Sequence, residues 1–299
     1  MPADFAPAAD APVVVEGAAA AARVAAAPSL AVSGWDFPGW PGVSLAEVAQ
    51  PPALSALVDD IKTRLAGAGF CVVRLSSIIG HEPEGVAAAA ATLLASAIGK
   101  PFRVYENNPG HWRNLGADPQ RPPNRSEGIG LQLPHHDFCN AEAPPDVVCL
   151  LCLRPDPLGG GASLVARMAG IEAELEPAEV EQLSRPVFRD GQVVNLSGVG
   201  HDANPFAIIA PEDARFRYRF VGHLLESAPE PAAKAAVHAL VAALKARMHT
   251  IPLAAGDLLL VDQHLAVHGR AALGQQQESL PIASRRRLLL SFLRTATAA

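Results

Sequence analysis

Leu133-Pro134-His135-His136-Asp137-Phe138-Cys139-Asn140 sets an imidazole and a carboxylate two residues apart. In an extended segment side chains alternate between faces, so His135 and Asp137 share one side and His136 turns to the other. A single metal ion can be held by such a pair, but two protein ligands do not complete a site. A third must come from elsewhere, and the stretch from Gly256 to Arg270 offers His264 and His268. Two imidazoles and one carboxylate on one face of a metal leave the opposite positions open, an arrangement suited to Fe(II). The plainer reading is a hydrogen-bonded surface pair, since His-x-Asp also arises by chance.

The chain has 299 residues, of which 49% are hydrophobic, with a mean hydropathy of +0.18. That supplies a core for one large domain or two small ones, although part of it is alanine, which stabilises little on burial. The net charge of −6 and pI near 5.9, without a basic run, argue against a nucleic-acid binder. The densest positive cluster is Arg285 to Arg287. No segment of about 18 or more apolar residues without charge exists, so no membrane span is expected. The first positive side chain is Arg23, so the amino terminus lacks the basic region of a secretory signal and a cytoplasmic protein is expected. Cys149 and Cys152 form a C-x-x-C inside the apolar run Val147 to Leu153. Residues three apart in a strand face opposite sides, so these two, with Cys71 and Cys139, read as buried thiols in a reducing compartment.

Residues 1–28 are Ala- and Pro-rich with few large side chains and read as a disordered tail. Trp35, Phe37 and Trp40 mark an arm lying on the domain. Leu54, Leu57, Val58, Ile61 and Leu65 recur at helical spacing and Gly67 and Gly69 close that helix. A strand follows from Phe70 to Leu75, then a second, Ala-rich helix from about Pro83 to Ile98. From Phe102 to Gly130 no period holds, which reads as a long loop. The glycines at 159–161 make a turn into a strand, and no phosphate-loop pattern accompanies them.

Glu172 to Leu183 reads as a short polar helix, and short strands are expected at Gln192–Leu196, Phe206–Ile209 and Arg215–Phe220. Val237, Leu240, Val241, Leu244 and Met248 line one face of an amphipathic helix, with His238 and His249 off that face and solvated. Two strands, Asp257–Val261 and Arg287–Leu293, close the chain. Many short strands, with helices at the amino end and in one insertion, predict a mainly β fold of the sandwich or jelly-roll kind.

In this order the pieces resemble the Fe(II)/2-oxoglutarate-dependent dioxygenases of the taurine dioxygenase and clavaminate synthase-like superfamily, over residues 50–295. His135-His136-Asp137 matches that family's His-x-Asp/Glu. Asp262-Gln263-His264-Leu265-Ala266-Val267-His268 is similar to its Asp-Asn-Arg-x-x-x-His, with His264 standing where arginine is usual. The resemblance implies His135, Asp137 and His268 as metal ligands and catalytic centre, and Ser163 in the segment that touches 2-oxoglutarate. It also implies an arginine for the distal carboxylate of that co-substrate. Arg287 begins the apolar strand best, with Arg285 on the same face and Arg286 turned away.

The implied architecture is a double-stranded β-helix (jelly roll) with flanking helices, one domain over 29–299 with a helical insertion around 229–249. The implied chemistry is Fe(II)- and O2-dependent hydroxylation or desaturation, since Asp137 keeps the carboxylate that halogenating members replace. The expected substrate is a small polar molecule, a free amino acid or related carboxylate. Two other readings use the same residues: a cupin-like metalloenzyme without 2-oxoglutarate, and a non-catalytic binding protein. The oligomeric state is not legible.

Overall fold

The computed structural model describes residues 14–16, 52–75, 91–92, 94–102, 112–190 and 204–295. In chain order the strands are β1 (Val14–Glu16), β2 (Phe70–Arg74), β3 (Lys100–Phe102), β4 (Arg113–Gly116), β5 (Gln132–His135) and β6 (Val147–Arg154). They continue with β7 (Ser163–Arg167), β8 (His249–Ile251), β9 (Asp257–Asp262), β10 (Ala266–Arg270) and β11 (Arg287–Arg294). The α-helices include α1 (Pro52–Ala68), α2 (Pro177–Leu183), α3 (Leu224–Ser227) and α4 (Pro231–Ala246), and the described residues 91–92 and 94–98 are helical as well.

The apolar run at β6 organises the layers. Val147, Cys149, Leu151 and Leu153 point to one core, with Val58, Ile61 and Leu65 of α1. Val148, Leu150 and Cys152 point to a second core. A strand buried on both faces reads as a continuous apolar run for this reason. It lies inside a seven-stranded sheet of order β1-β2-β9-β6-β11-β3, with β4 also paired to β11. All the pairs in it are antiparallel except β1 with β2.

The second core is shared with a four-stranded sheet, β5-β10-β7-β8, through Val165, Ile251 and Ala266. The outer face of that small sheet, Leu164, Ala166 and Val267, packs on Ala233, Ala236, Val237, Leu240 and Leu244 of α4. The order of layers is therefore helix, large sheet, small sheet, helix, which is the jelly-roll type of fold.

Gly69 ends α1 in the left-handed region, φ 84°, with its N–H donated to Leu65 O at 2.9 Å. A Cβ there would stand 3.0 Å from the Cβ of Ala266, so this turn joins the large sheet to the small one. Among the described residues no helix is long and apolar enough to cross a membrane.

Several expectations change. The stretch read as a long loop carries β3 and β4, which are three and four residues long. Within residues 1–28 the described part is the short strand β1. His249 is half-buried in β8 with its ring 5.1 Å from that of Phe70, not solvated on a helix. Phe206 and Ile209 make single bridges, to Phe188 and Tyr218, where strands were expected. The segment 192–196 and the arm at 29–50 lie outside the described residues.

Candidate metal centre

Strand pairing builds the centre. β10 runs antiparallel to β5 with His268 directly opposite His135, which places the two imidazole rings 4.5 Å apart. Asp137 lies two residues beyond His135, just past the strand end. Its Oδ1 is 3.5 Å from His135 Nε2 and its Oδ2 is 3.5 Å from His268 Nε2. One ligand atom from each of the three lies within 4.8 Å of the others. His135 Nδ1 is 2.8 Å from the carbonyl oxygen of Leu133. A carbonyl only accepts, so Nδ1 carries the proton and the Nε2 lone pair faces the cluster.

Burial pushes His268 down to about 4, with the His135 charge adding to it. For Asp137 burial opposes ionisation, but the hydrogen bond to His135 and the charges of both histidines outweigh it, so its pKa is lowered. Burial likewise works against charge on His135, and Asp137 more than reverses it. The cluster thus offers an ionised carboxylate at Asp137 and a neutral imidazole at His268.

The neighbouring histidines are engaged elsewhere. His136 is buried, accepts the Phe220 N–H at Nδ1 over 3.0 Å and donates its own backbone N–H to Phe220 O. His264 Nε2 lies 2.8 Å from Asp146 Oδ1, and its ring stacks on Phe216 at 4.2 Å.

A narrow cavity opens from the cluster into the space between the sheets. Ser163, Arg270, Arg286 and Leu288 line it together with His135, Asp137 and His268. Both guanidiniums are buried, and burial lowers each to about 10, so both remain cations. Among the described residues neither has a carboxylate within ion-pair distance. Asp156 acts on both only through space, because its oxygens accept from the backbone N–H groups of Leu158, Gly160 and Gly274 and from Gln277.

Two expected site residues are not in this cavity. Arg285 donates from Nε to Leu280 O, and Arg287 donates to Asn114 Oδ1 on the exposed side. The inward positions of β11 are Leu288, Leu290 and Phe292, and Arg286, of the same parity, is the one of the three arginines that lines the cavity. Arg270 was not singled out either, although alternation from His268 places it on the same face and opposite Ser163.

With this geometry in place, the comparisons with known proteins are specific. Residues 36–289 match the family model of the taurine catabolism dioxygenase TauD, TfdA family. The chain belongs to this family.

This TauD, TfdA-family chain is 28% identical over 164 residues to an L-asparagine oxygenase from Streptomyces coelicolor (strain ATCC BAA-471 / A3(2) / M145). That match covers 55% of the chain and 49% of the relative, so the chain spans about half the length of the curated protein. A solved asparagine oxygenase, in complex with Fe(II), 2S,3S-3-hydroxyasparagine and succinate, superposes with a TM-score of 0.70 at 20% identity. It covers 95% of this chain and 93% of its own. The non-heme iron oxygenase OrfP, in complex with Fe and alpha-ketoglutaric acid, gives 0.68 at 17% identity over 96% of this chain and 95% of its own. These likenesses establish the shared fold.

Proposed function

We propose that this dioxygenase-family chain hydroxylates a free amino acid or a closely related small carboxylate, using Fe(II) and 2-oxoglutarate. The observation that carries the reading is the cavity joining the His135, Asp137 and His268 cluster to two buried guanidiniums. The donor set fits the metal: two neutral-nitrogen donors and one carboxylate suit Fe(II) and leave positions for a chelating acid and O2. Bound iron would supply the activation of O2 that couples decarboxylation of 2-oxoglutarate to oxidation of the substrate.

The chain's own residues do the rest. His135, Asp137 and His268 would hold the metal. Arg286 binds the distal carboxylate of 2-oxoglutarate, where a guanidinium makes paired charge-assisted hydrogen bonds, with Ser163 and Arg270 beside it. Leu150, Leu288 and Leu290 keep water from that end of the cavity. A second cleft, about 560 Å³, opens on the other side of His135 and Asp137. Arg113, ion-paired with Glu127 at 2.5 Å, lines it together with Arg125, Asn140 and Asp190, and groups of both signs suit a zwitterion. The four cysteines are unpaired and buried, which supports a reducing, cytoplasmic setting.

A cupin-like metalloenzyme without 2-oxoglutarate would leave Arg270 and Arg286 buried without a counter-charge, at considerable cost. Anaerobic addition of Fe(II) and 2-oxoglutarate should produce the weak visible charge-transfer band of the chelate, with succinate release then screened over the L-amino acids. Iron binding without the band would overturn the 2-oxoglutarate reading. A band with no amino-acid-stimulated succinate release would overturn the substrate class alone.

A further inference from the structure

Gln263 is 1% exposed, and both ends of its side-chain amide are in use. Nε2 donates to the carbonyl of Pro145 at 2.8 Å, and Oε1 accepts the backbone N–H of Asp137 at 2.6 Å. Its own N–H donates to Asp146 O at 2.9 Å. Three pieces of chain meet at this one residue: the start of β6, the turn between β9 and β10, and the loop that carries Asp137.

The base of the clamp is fixed. In the turn, His264 N–H donates to Asp262 Oδ1 at 2.8 Å and Leu265 N–H to Asp262 O at 3.1 Å. His264 then reaches Asp146 Oδ1, whose second oxygen accepts the Thr295 N–H at 3.0 Å. The far side is conformationally demanding. Phe138, directly after Asp137, has φ 59°, a left-handed backbone that a bulky side chain adopts only when its surroundings over-determine it. Its ring meets Phe292 edge-on at 5.2 Å. Between the ligand-bearing strand end and this turn, the Asp137 backbone N–H is held by a buried side chain whose other end is bonded to Pro145.

We propose that Gln263 is a positioning residue for the metal centre. It sets Asp137 in its ligating position before the metal arrives and couples it to the turn that leads into the His268 strand. The inference rests on the metal-centre reading above. Groups that orient ligands in this way are worth about ten- to hundredfold in metal affinity.

Gln263→Met in the full chain keeps length and volume but offers no acceptor to Asp137. Titration with Co(II), followed by its visible bands, should show binding about ten- to hundredfold weaker than in the native protein, measured where the variant is still folded, since the unpaired Asp137 N–H and Pro145 carbonyl also lower its apo-protein melting temperature. Asp137 amide hydrogen exchange should be slow in the native apo-protein and fast in the variant. Native Co(II) affinity in a folded Gln263→Met protein would overturn the proposal. If that variant does not fold, exchange in the native apo-protein decides: a protected Asp137 amide supports the clamp and a freely exchanging one refutes it. Failure of the native protein to bind Co(II) would sink the metal-centre reading instead, and the exchange measurement would still judge the clamp.

Discussion

Among the described residues Arg286, 8% exposed, faces the cavity without an ion-pair partner, and the proposed function gives it the distal carboxylate of 2-oxoglutarate. Arg286→Ala should raise the apparent KM for 2-oxoglutarate on the order of a hundredfold, about 3 kcal/mol, as for one partner removed from a buried charge pair. Arg287→Ala should leave KM unchanged, since its guanidinium is spent on Asn114. Succinate release against 2-oxoglutarate concentration separates the two, and an unaltered KM in the Arg286 variant would move the role to Arg270. The metal-free protein should also show an acid signature. Burial pushes His136 down to about 3 and His268 to about 4. The unfolded chain takes up these protons near 6.5 while the folded one does not, so stability is lost as pH falls from about 6.5. Each histidine accounts for up to about 1.4 kcal/mol per pH unit over that window. His135 acts the opposite way, since its raised pKa gives stability below the ordinary value that is lost on going above it. His136→Gln should therefore lose less stability than the native apo-protein in urea melts between about pH 7 and about pH 5. Equal losses would mean that His136 is not held neutral. The pairing of His135 with Asp137 was legible from alternation. The choice among the three arginines was not, because the leucines after them are buried on both faces of β11 and leave its parity open.

At the scale of elements, burial on both faces made β6 the easiest strand to read and makes it the most sensitive to change. Leu151 is fully buried between α1 and the large sheet. Leu151→Ala should cost about 2–5 kcal/mol in urea unfolding of the apo-protein, the range for a cavity left in a packed core. A loss below that range would mean that α1 collapses onto the gap. The same parity explains why the C-x-x-C is not a metal or redox pair: Cys149 lies in the outer core and Cys152 in the inner one. β3, β4 and β8 were missed for a physical reason. Three or four residues are too few to show a period, and their extended form comes from pairing with β11 and β7. Gln263 went unremarked because a glutamine in a turn carries no signal until its two partners are known.

For the whole molecule, what the sequence could not supply is which strands meet. Nothing in the residues around His135 names β10 as its neighbour, and that expectation came from a resemblance in the order of motifs. The consequence of the meeting is testable as linkage. The cavity takes side chains from β5, β7 and β10 of the small sheet and from β6 and β11 of the large one, so ligands there bridge the two sheets. A ligand that binds only the folded state stabilises it by about 2.7 kcal/mol at a hundredfold excess over its Kd. Co(II) should raise the melting temperature, and 2-oxoglutarate added with Co(II) should raise it further. In Arg286→Ala the Co(II) increment should persist while the 2-oxoglutarate increment is lost, because the variant keeps all three metal ligands and removes the anion's partner. In Asp137→Ala both increments should shrink together, since the chelating end of 2-oxoglutarate needs the metal. An Asp137→Ala protein that kept a full 2-oxoglutarate increment would show the acid binding through Arg270 and Arg286 alone, with the metal contributing nothing to its affinity.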